Sequence, residues 1–121
     1  MINDKETEFV KVSHEEAEAE QKAKFTEKKI IHTALASYGA DKQRIKCVEE
    51  LGELVVELTK DANGNGSRFH IVEEIADVEI MLAQMKIHYG AEKDVEAVKA
   101  QKIKQLGEKL GIKCNEIRQD D

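Results

Sequence analysis

The sequence contains no proline and no tryptophan, and aromatic residues make up only 4% of it. No apolar run approaches the ~20 residues that a membrane-spanning helix needs. The first residues, MINDKETEF, lack the basic and then apolar pattern of a secretory signal. These absences argue against a membrane-bound or secreted protein, and we expect a cytoplasmic one.

Basic tracts are also missing, and the formal net charge is -6. A protein that binds duplex nucleic acid needs a basic surface, so we expect no duplex partner. A nucleotide bound by such an acidic chain would need a metal ion to offset the negative field. Cys47 and Cys114 are isolated, without C-x-x-C spacing, and are interpreted as free packing residues.

A chain of 121 residues, 36% of them charged and 40% hydrophobic, is typical of one helical domain. We expect an all-α bundle of four main helices between a charged leader, residues 1–25, which is helical or frayed, and a polar tail, residues 112–121. The periodicity places the helices at 26–38, 41–60, 68–89 and 92–110.

Several residues mark where these helices are predicted to begin or end. Ser13 and Glu16 have the form of a capping box that opens a polar helix in the leader. Gly39 suits the end of the helix that begins at Thr26. Asp41 is predicted to cap the next helix, and Ser67 the third, after an Asn/Gly-rich turn.

Two acidic clusters carry the main functional signal: Glu49-Glu50-x-x-Glu53 and Glu73-Glu74-x-x-Asp77. Helical residues three apart share a face. If the second and third helices form an antiparallel hairpin, four carboxylates therefore converge: Glu50, Glu53, Glu74 and Asp77. Four carboxylates held close together repel one another, and the arrangement makes sense if Mg²⁺, or Mn²⁺ in its place, lies among them. Single acidic pairs usually form a solvated face, but two on consecutive helices favour a metal site.

The apolar pattern sharpens this interpretation. Glu74 falls inside the apolar arc of the third helix, and Asp77 borders it. On the second helix Glu50 and Glu53 follow one edge of an apolar arc that is expected to face the core, formed by Leu51, Leu54, Val55 and Leu58. The same helix carries an apolar stripe at helical spacing, which consists of Ile45, Val48, Leu51, Val55 and Leu58.

Other chemistry finds little support. Glu-x-x-His is absent, which argues against a ferritin-like di-iron bundle, and P-loop, hydrolase-elbow and dinucleotide motifs are absent too. Lys102 lies on the apolar stripe of the fourth helix, with Lys99 beside it, and Lys46 lies beside the first acidic cluster. Each is a candidate to bind substrate phosphate as a point charge, although lysine also snorkels from such positions.

The segments CVEELGELVVELTK and NGNGSRFHIVEEIADVEIMLAQMKIHYG resemble the MazG-like nucleoside triphosphate pyrophosphohydrolases, whose signature is E-E-x-x-E followed by E-x-x-D. The resemblance covers residues 26–110. It implies Mg²⁺ ligation by Glu50, Glu53, Glu74 and Asp77, with Glu49 as the leading acid. Glu49 or Glu53 is a candidate base for the attacking water.

The resemblance also implies hydrolysis of an NTP or dNTP to NMP and pyrophosphate by a homodimer or homotetramer. Candidate seam residues are Val95, Val98, Leu106 and Met85. An obvious base-stacking aromatic residue is lacking. Two alternatives remain open: a noncatalytic helical interaction module whose acidic edge binds a cation, and a phosphoribosyl-ATP or dUTP pyrophosphohydrolase with the same metal chemistry.

Overall fold

The structure, a computed structural model, describes residues 4–113, with side chains from Ser13 onward. This part of the chain contains four helices and no strand, which confirms the all-α prediction. The helices are α1 (Asp4–Tyr38), α2 (Ala40–Ala62), α3 (Arg68–His88) and α4 (Glu92–Lys109). Cys114 and most of the predicted tail lie outside the described residues.

Helix α1 is longer than predicted. It runs without interruption for 35 residues through both expected start points, Ser13 and Thr26, so neither begins a helix. The hydroxyl of Thr26 instead donates to the carbonyl of Lys22 at 3.0 Å, a bond made inside a helix. The reason is local: no proline or glycine precedes Gly39, and Ala, Glu, Lys and Gln dominate residues 13–29. The leader is thus helical from Asp4.

The ends of the other helices lie within two residues of their predicted positions. Gly39 has φ +90°, a conformation that favours glycine, and separates α1 from α2. Asp41 does not cap α2, because the helix begins one residue earlier; its carboxylate pairs with Arg44 at 3.3 Å. Ser67 does cap α3, since its hydroxyl accepts the backbone N–H of His70 at 3.4 Å.

Helices α2 and α3 form an antiparallel hairpin. The amide of Gln43, near the start of α2, donates to the side-chain oxygen of Gln84, near the end of α3, at 2.8 Å. Between these amides and the acidic residues lie the buried apolar side chains, Cys47 on α2 and Val78 and Met81 on α3. Burial raises the pKa of the Cys47 thiol, as expected for a packing residue.

The face that α2 turns inward is not the predicted one. Its buried side chains are Gln43, Cys47 and Glu50, spaced four and three residues apart. The apolar stripe defined above is exposed instead, with Val48 at 65% and Val55 at 62%. This prediction was wrong, because a row interrupted by polar residues packs against α3 while the more apolar row lies outside.

The chain divides into two compact units, 1–84 and 85–121. The first contains α1, α2 and most of α3, and the second contains the end of α3 and α4. Residues of α4 such as Val98 and Leu106 are about half exposed. Over the described residues, no helix is long and apolar enough to cross a membrane.

Candidate metal site

Three carboxylates meet on the α2–α3 hairpin. Side-chain oxygens of Glu50, Glu74 and Asp77 all lie within 4.8 Å of one another. Glu50 is buried, Glu74 half-buried and Asp77 exposed, so the group opens to solvent on one side. We call these three residues the acidic cluster. They are the second acid of E-E-x-x-E together with both acids of E-x-x-D.

Glu50 is the innermost member of the acidic cluster. It is only 7% exposed, and its Oε1 forms an ion pair with Lys46 Nζ at 3.2 Å. Its Oε2 is buried and has no hydrogen-bond partner. A carboxylate oxygen removed from water without a partner is costly, and such atoms are rare in folded proteins. A cation held by this oxygen and the two further carboxylates would supply such a partner.

The pKa of Glu74 responds to burial and to the neighbouring carboxylates. Its pKa is raised from the ordinary value of 4.5 to about 7, first by desolvation and then by the charge of Glu53 and a hydrogen bond with it. The charges of Glu50 and Asp77 add to the effect. Its Oε2 is also buried without a partner. Without a cation, the site disfavours a fully ionised Glu74.

The donor set fits a hard divalent cation. All three side chains offer carboxylate oxygens, and no histidine or cysteine belongs to the acidic cluster. Oxygen donors of this kind suit Mg²⁺ or Mn²⁺ rather than zinc or copper. Because Asp77 is exposed, one side of such a site can face water and a phosphate group.

The other predicted site residues of α2 lie outside the acidic cluster. Glu53 lies next to Glu74 but does not belong to the acidic cluster, and it is exposed. Glu49 points to solvent and pairs with Lys46 at 3.7 Å. Ion pairs to Glu50 and Glu49 raise the pKa of Lys46. The roles predicted for Glu49 and Glu53 as base, and for Glu53 as ligand, stay predictions.

The predicted phosphate-binding lysines of α4 belong to the second unit. Lys99 pairs with Glu96 at 3.6 Å, and Lys102 is exposed. Their contact with phosphate stays a prediction. Lys46 belongs to the first unit, and its side chain pairs with Glu50 of the acidic cluster.

One feature near the acidic cluster was missed by the sequence interpretation. A cavity of about 530 Å³ opens beside Lys46. Its lining residues are Tyr38, Lys42, Gln43, Ile45, Lys46, Glu49 and Met81. Tyr38 directly precedes the glycine that ends α1, and no motif singles it out. It lines the cavity because Lys42, Lys46 and Glu49 follow it at helical spacing just beyond Gly39.

The raised pKa of Glu74 predicts how the metal-free protein responds to pH. An acid with pKa 4.5 when unfolded and about 7 when folded holds an extra proton in the folded state between those values. Its contribution to the free energy of unfolding therefore falls as pH rises from 4.5 to about 7 and then levels off. Thermal melts in EDTA from pH 5 to 8 should show this decline, and Glu74→Gln should flatten it. Equal slopes for the two proteins would contradict the prediction.

Comparison of the chain with protein-family models, curated proteins and solved structures finds no match. The protein is therefore described by its own features: a four-helix all-α chain with an acidic cluster on the α2–α3 hairpin.

Proposed function

We propose that this protein is a Mg²⁺-dependent nucleoside triphosphate pyrophosphohydrolase of the MazG-like type. The observation that carries the proposal is the buried, unpartnered Oε2 of Glu50, in a residue whose carboxylate lies within 4.8 Å of those of Glu74 and Asp77. The type of reaction is inferred from the motif resemblance. The closeness of the three carboxylates supports their role as metal ligands. Mn²⁺ would satisfy the same oxygen donors.

The chain's own residues have distinct tasks in this proposal. Glu50, Glu74 and Asp77 hold the cation, with Glu53 beside them. Lys46 holds one oxygen of Glu50 at 3.2 Å, which leaves the other for the cation. Bound Mg²⁺ would neutralise the triphosphate and lower the pKa of a bound water. Glu53 and Glu49 are the nearby carboxylates that could accept the proton of the attacking water.

Assembly belongs to the same proposal, and its partner is a second copy of the chain. Among the described residues only Cys47, Val78 and Met81 are buried apolar residues, whereas the stripe on α2 is exposed. A second copy would cover that stripe and enlarge a small core. We therefore place the seam of the homodimer, or of one interface of a homotetramer, on α2.

The reaction products test the function. Incubation of the protein with Mg²⁺ and a panel of NTPs and dNTPs should release NMP and pyrophosphate, because water attacks the α-phosphorus. Chromatography of the nucleotides together with a pyrophosphate assay distinguishes this outcome from NDP and phosphate. Heat-inactivated protein and EDTA-treated protein are the controls.

A folded, metal-loaded sample that turned over no nucleotide would contradict the catalytic proposal. Metal binding without turnover would support the noncatalytic module. Activity confined to phosphoribosyl-ATP or dUTP would support the related pyrophosphohydrolases.

A further inference from the structure

The cavity beside Lys46 combines two kinds of surface. Tyr38, Ile45 and Met81 supply aromatic and apolar walls, Lys42 and Lys46 supply two cations, and the carboxylate of Glu49 pairs with Lys46. Its volume of about 530 Å³ is within the range of small-molecule sites. Mixed aromatic and cationic linings suit a ligand with a flat ring and an anionic group.

The cavity and the acidic cluster share a boundary. Lys46 lines the cavity and forms the 3.2 Å ion pair with Glu50. Lys42, one turn earlier on α2, precedes Glu50 by eight residues, about 12 Å along a helix axis. Tyr38 precedes Lys42 by a further four residues. A nucleotide with its base against Tyr38 would therefore run its phosphates past Lys42 and Lys46 toward the carboxylates.

We propose that this cavity binds the nucleoside part of the substrate, with Tyr38 stacked on the base. The inference rests on the proposed function, because the acidic cluster and its cation hold the phosphates. Tyr38 is 63% exposed, which leaves its ring accessible to a base. Stacking on an aromatic ring is sequence-tolerant, so Tyr38 strengthens the binding of every base.

Nucleotide binding tests this role. Calorimetry with Mg²⁺ and the α,β-methylene analogues of ATP, GTP, CTP and UTP measures affinity without turnover, and inorganic triphosphate serves as a ligand without a base. Tyr38→Ala should weaken the tightest-binding analogue by about tenfold or more. Its affinity for triphosphate should stay within about twofold of the wild type, since triphosphate offers no ring to stack.

Two variants control for structural damage. Tyr38→Phe keeps the ring and should bind the analogue like the wild type. Phe25→Ala removes an exposed ring from the same helix, away from the cavity lining, and should change neither affinity. Circular dichroism checks that each variant keeps its helix content.

The outcomes separate this inference from the proposed function. If Mg²⁺ and triphosphate bind but Tyr38→Ala leaves nucleotide affinity unchanged, or weakens both ligands equally, the stacking role is overturned while the metal site stands. The same holds if the wild type binds triphosphate but no nucleotide analogue. If the wild type binds no Mg²⁺, the proposed function is overturned and this inference with it.

Discussion

Glu74→Gln is expected to lower the rate of nucleotide hydrolysis by about a hundredfold or more. Glu74 contributes one of three carboxylates within 4.8 Å, and its buried oxygen has no partner in the protein. A neutral amide in its place is a weaker ligand for Mg²⁺, and the loss of a ligand removes stabilisation of the transition state worth several kcal/mol. Initial rates of pyrophosphate release at saturating nucleotide and Mg²⁺ measure the effect.

The same variant should fold normally. Removal of one charge from a group that includes Glu50 and Asp77 relieves repulsion, so the metal-free variant should melt at or above the wild-type temperature near pH 8. Mg²⁺ should stabilise the wild type by about 2.7 kcal/mol at a hundred times its dissociation constant. It should stabilise Glu74→Gln far less.

Glu73→Gln is the matched control. Glu73 precedes Glu74 in the same helix, but its carboxylate lies 3.7 Å from His70 and is about half exposed. Its substitution should leave hydrolysis and Mg²⁺-dependent stabilisation near wild-type values. Equal losses in both variants would mean that the site depends on the general acidity of α3 and not on the acidic cluster.

The double substitution Val48→Glu, Val55→Glu is expected to weaken self-association by about a hundredfold or more. Both valines belong to the exposed stripe on α2, each more than 60% exposed. In a dimer seam, the new carboxylates would lose hydration without a partner charge, at a cost of several kcal/mol. Sedimentation equilibrium at micromolar concentration should show a dimer or tetramer for the wild type and a monomer for the variant.

Val98→Glu tests the seam that the sequence favoured. Val98 lies on α4 and is 49% exposed, so the substitution is chemically matched. It should leave the assembly unchanged if α2 forms the seam. The opposite pair of results, a monomeric Val98→Glu protein and a Val48→Glu, Val55→Glu protein that still associates, would assign the seam to α4 instead. A monomeric wild type would exclude both seams.

The acidic cluster was predictable because its information is local. A spacing of three residues puts Glu74 and Asp77 on one face of any helix, and the short turn after α2 favours a hairpin that returns them to Glu50. The structure brings these three together. The sequence could not rank Glu53 against Glu50, because that difference depends on how far α2 is rotated toward α3.

That rotation also explains the wrong prediction for α2. The stripe that includes Val48 and Val55 is its most apolar row, and a periodicity argument assigns such a row to the core of one chain. The hairpin buries Gln43, Cys47 and Glu50 instead. Periodicity identifies an apolar face but carries no information about whether the same chain or another copy covers it.

The sequence by itself determined the helical class, the turn that pairs α2 with α3, and the two acidic spacings, since each depends on backbone propensity over a few residues. Tertiary structure decided the rest. The approach of α3 to α2 removes Glu50 from water, leaves its Oε2 without a partner and raises the pKa of Glu74 to about 7. The turn at Gly39 sets Tyr38 beside the start of α2, and Met81 of α3 completes the lining of the cavity. The desolvation of Glu50 and Glu74 arises from side chains on two different helices, so no local pattern encodes it.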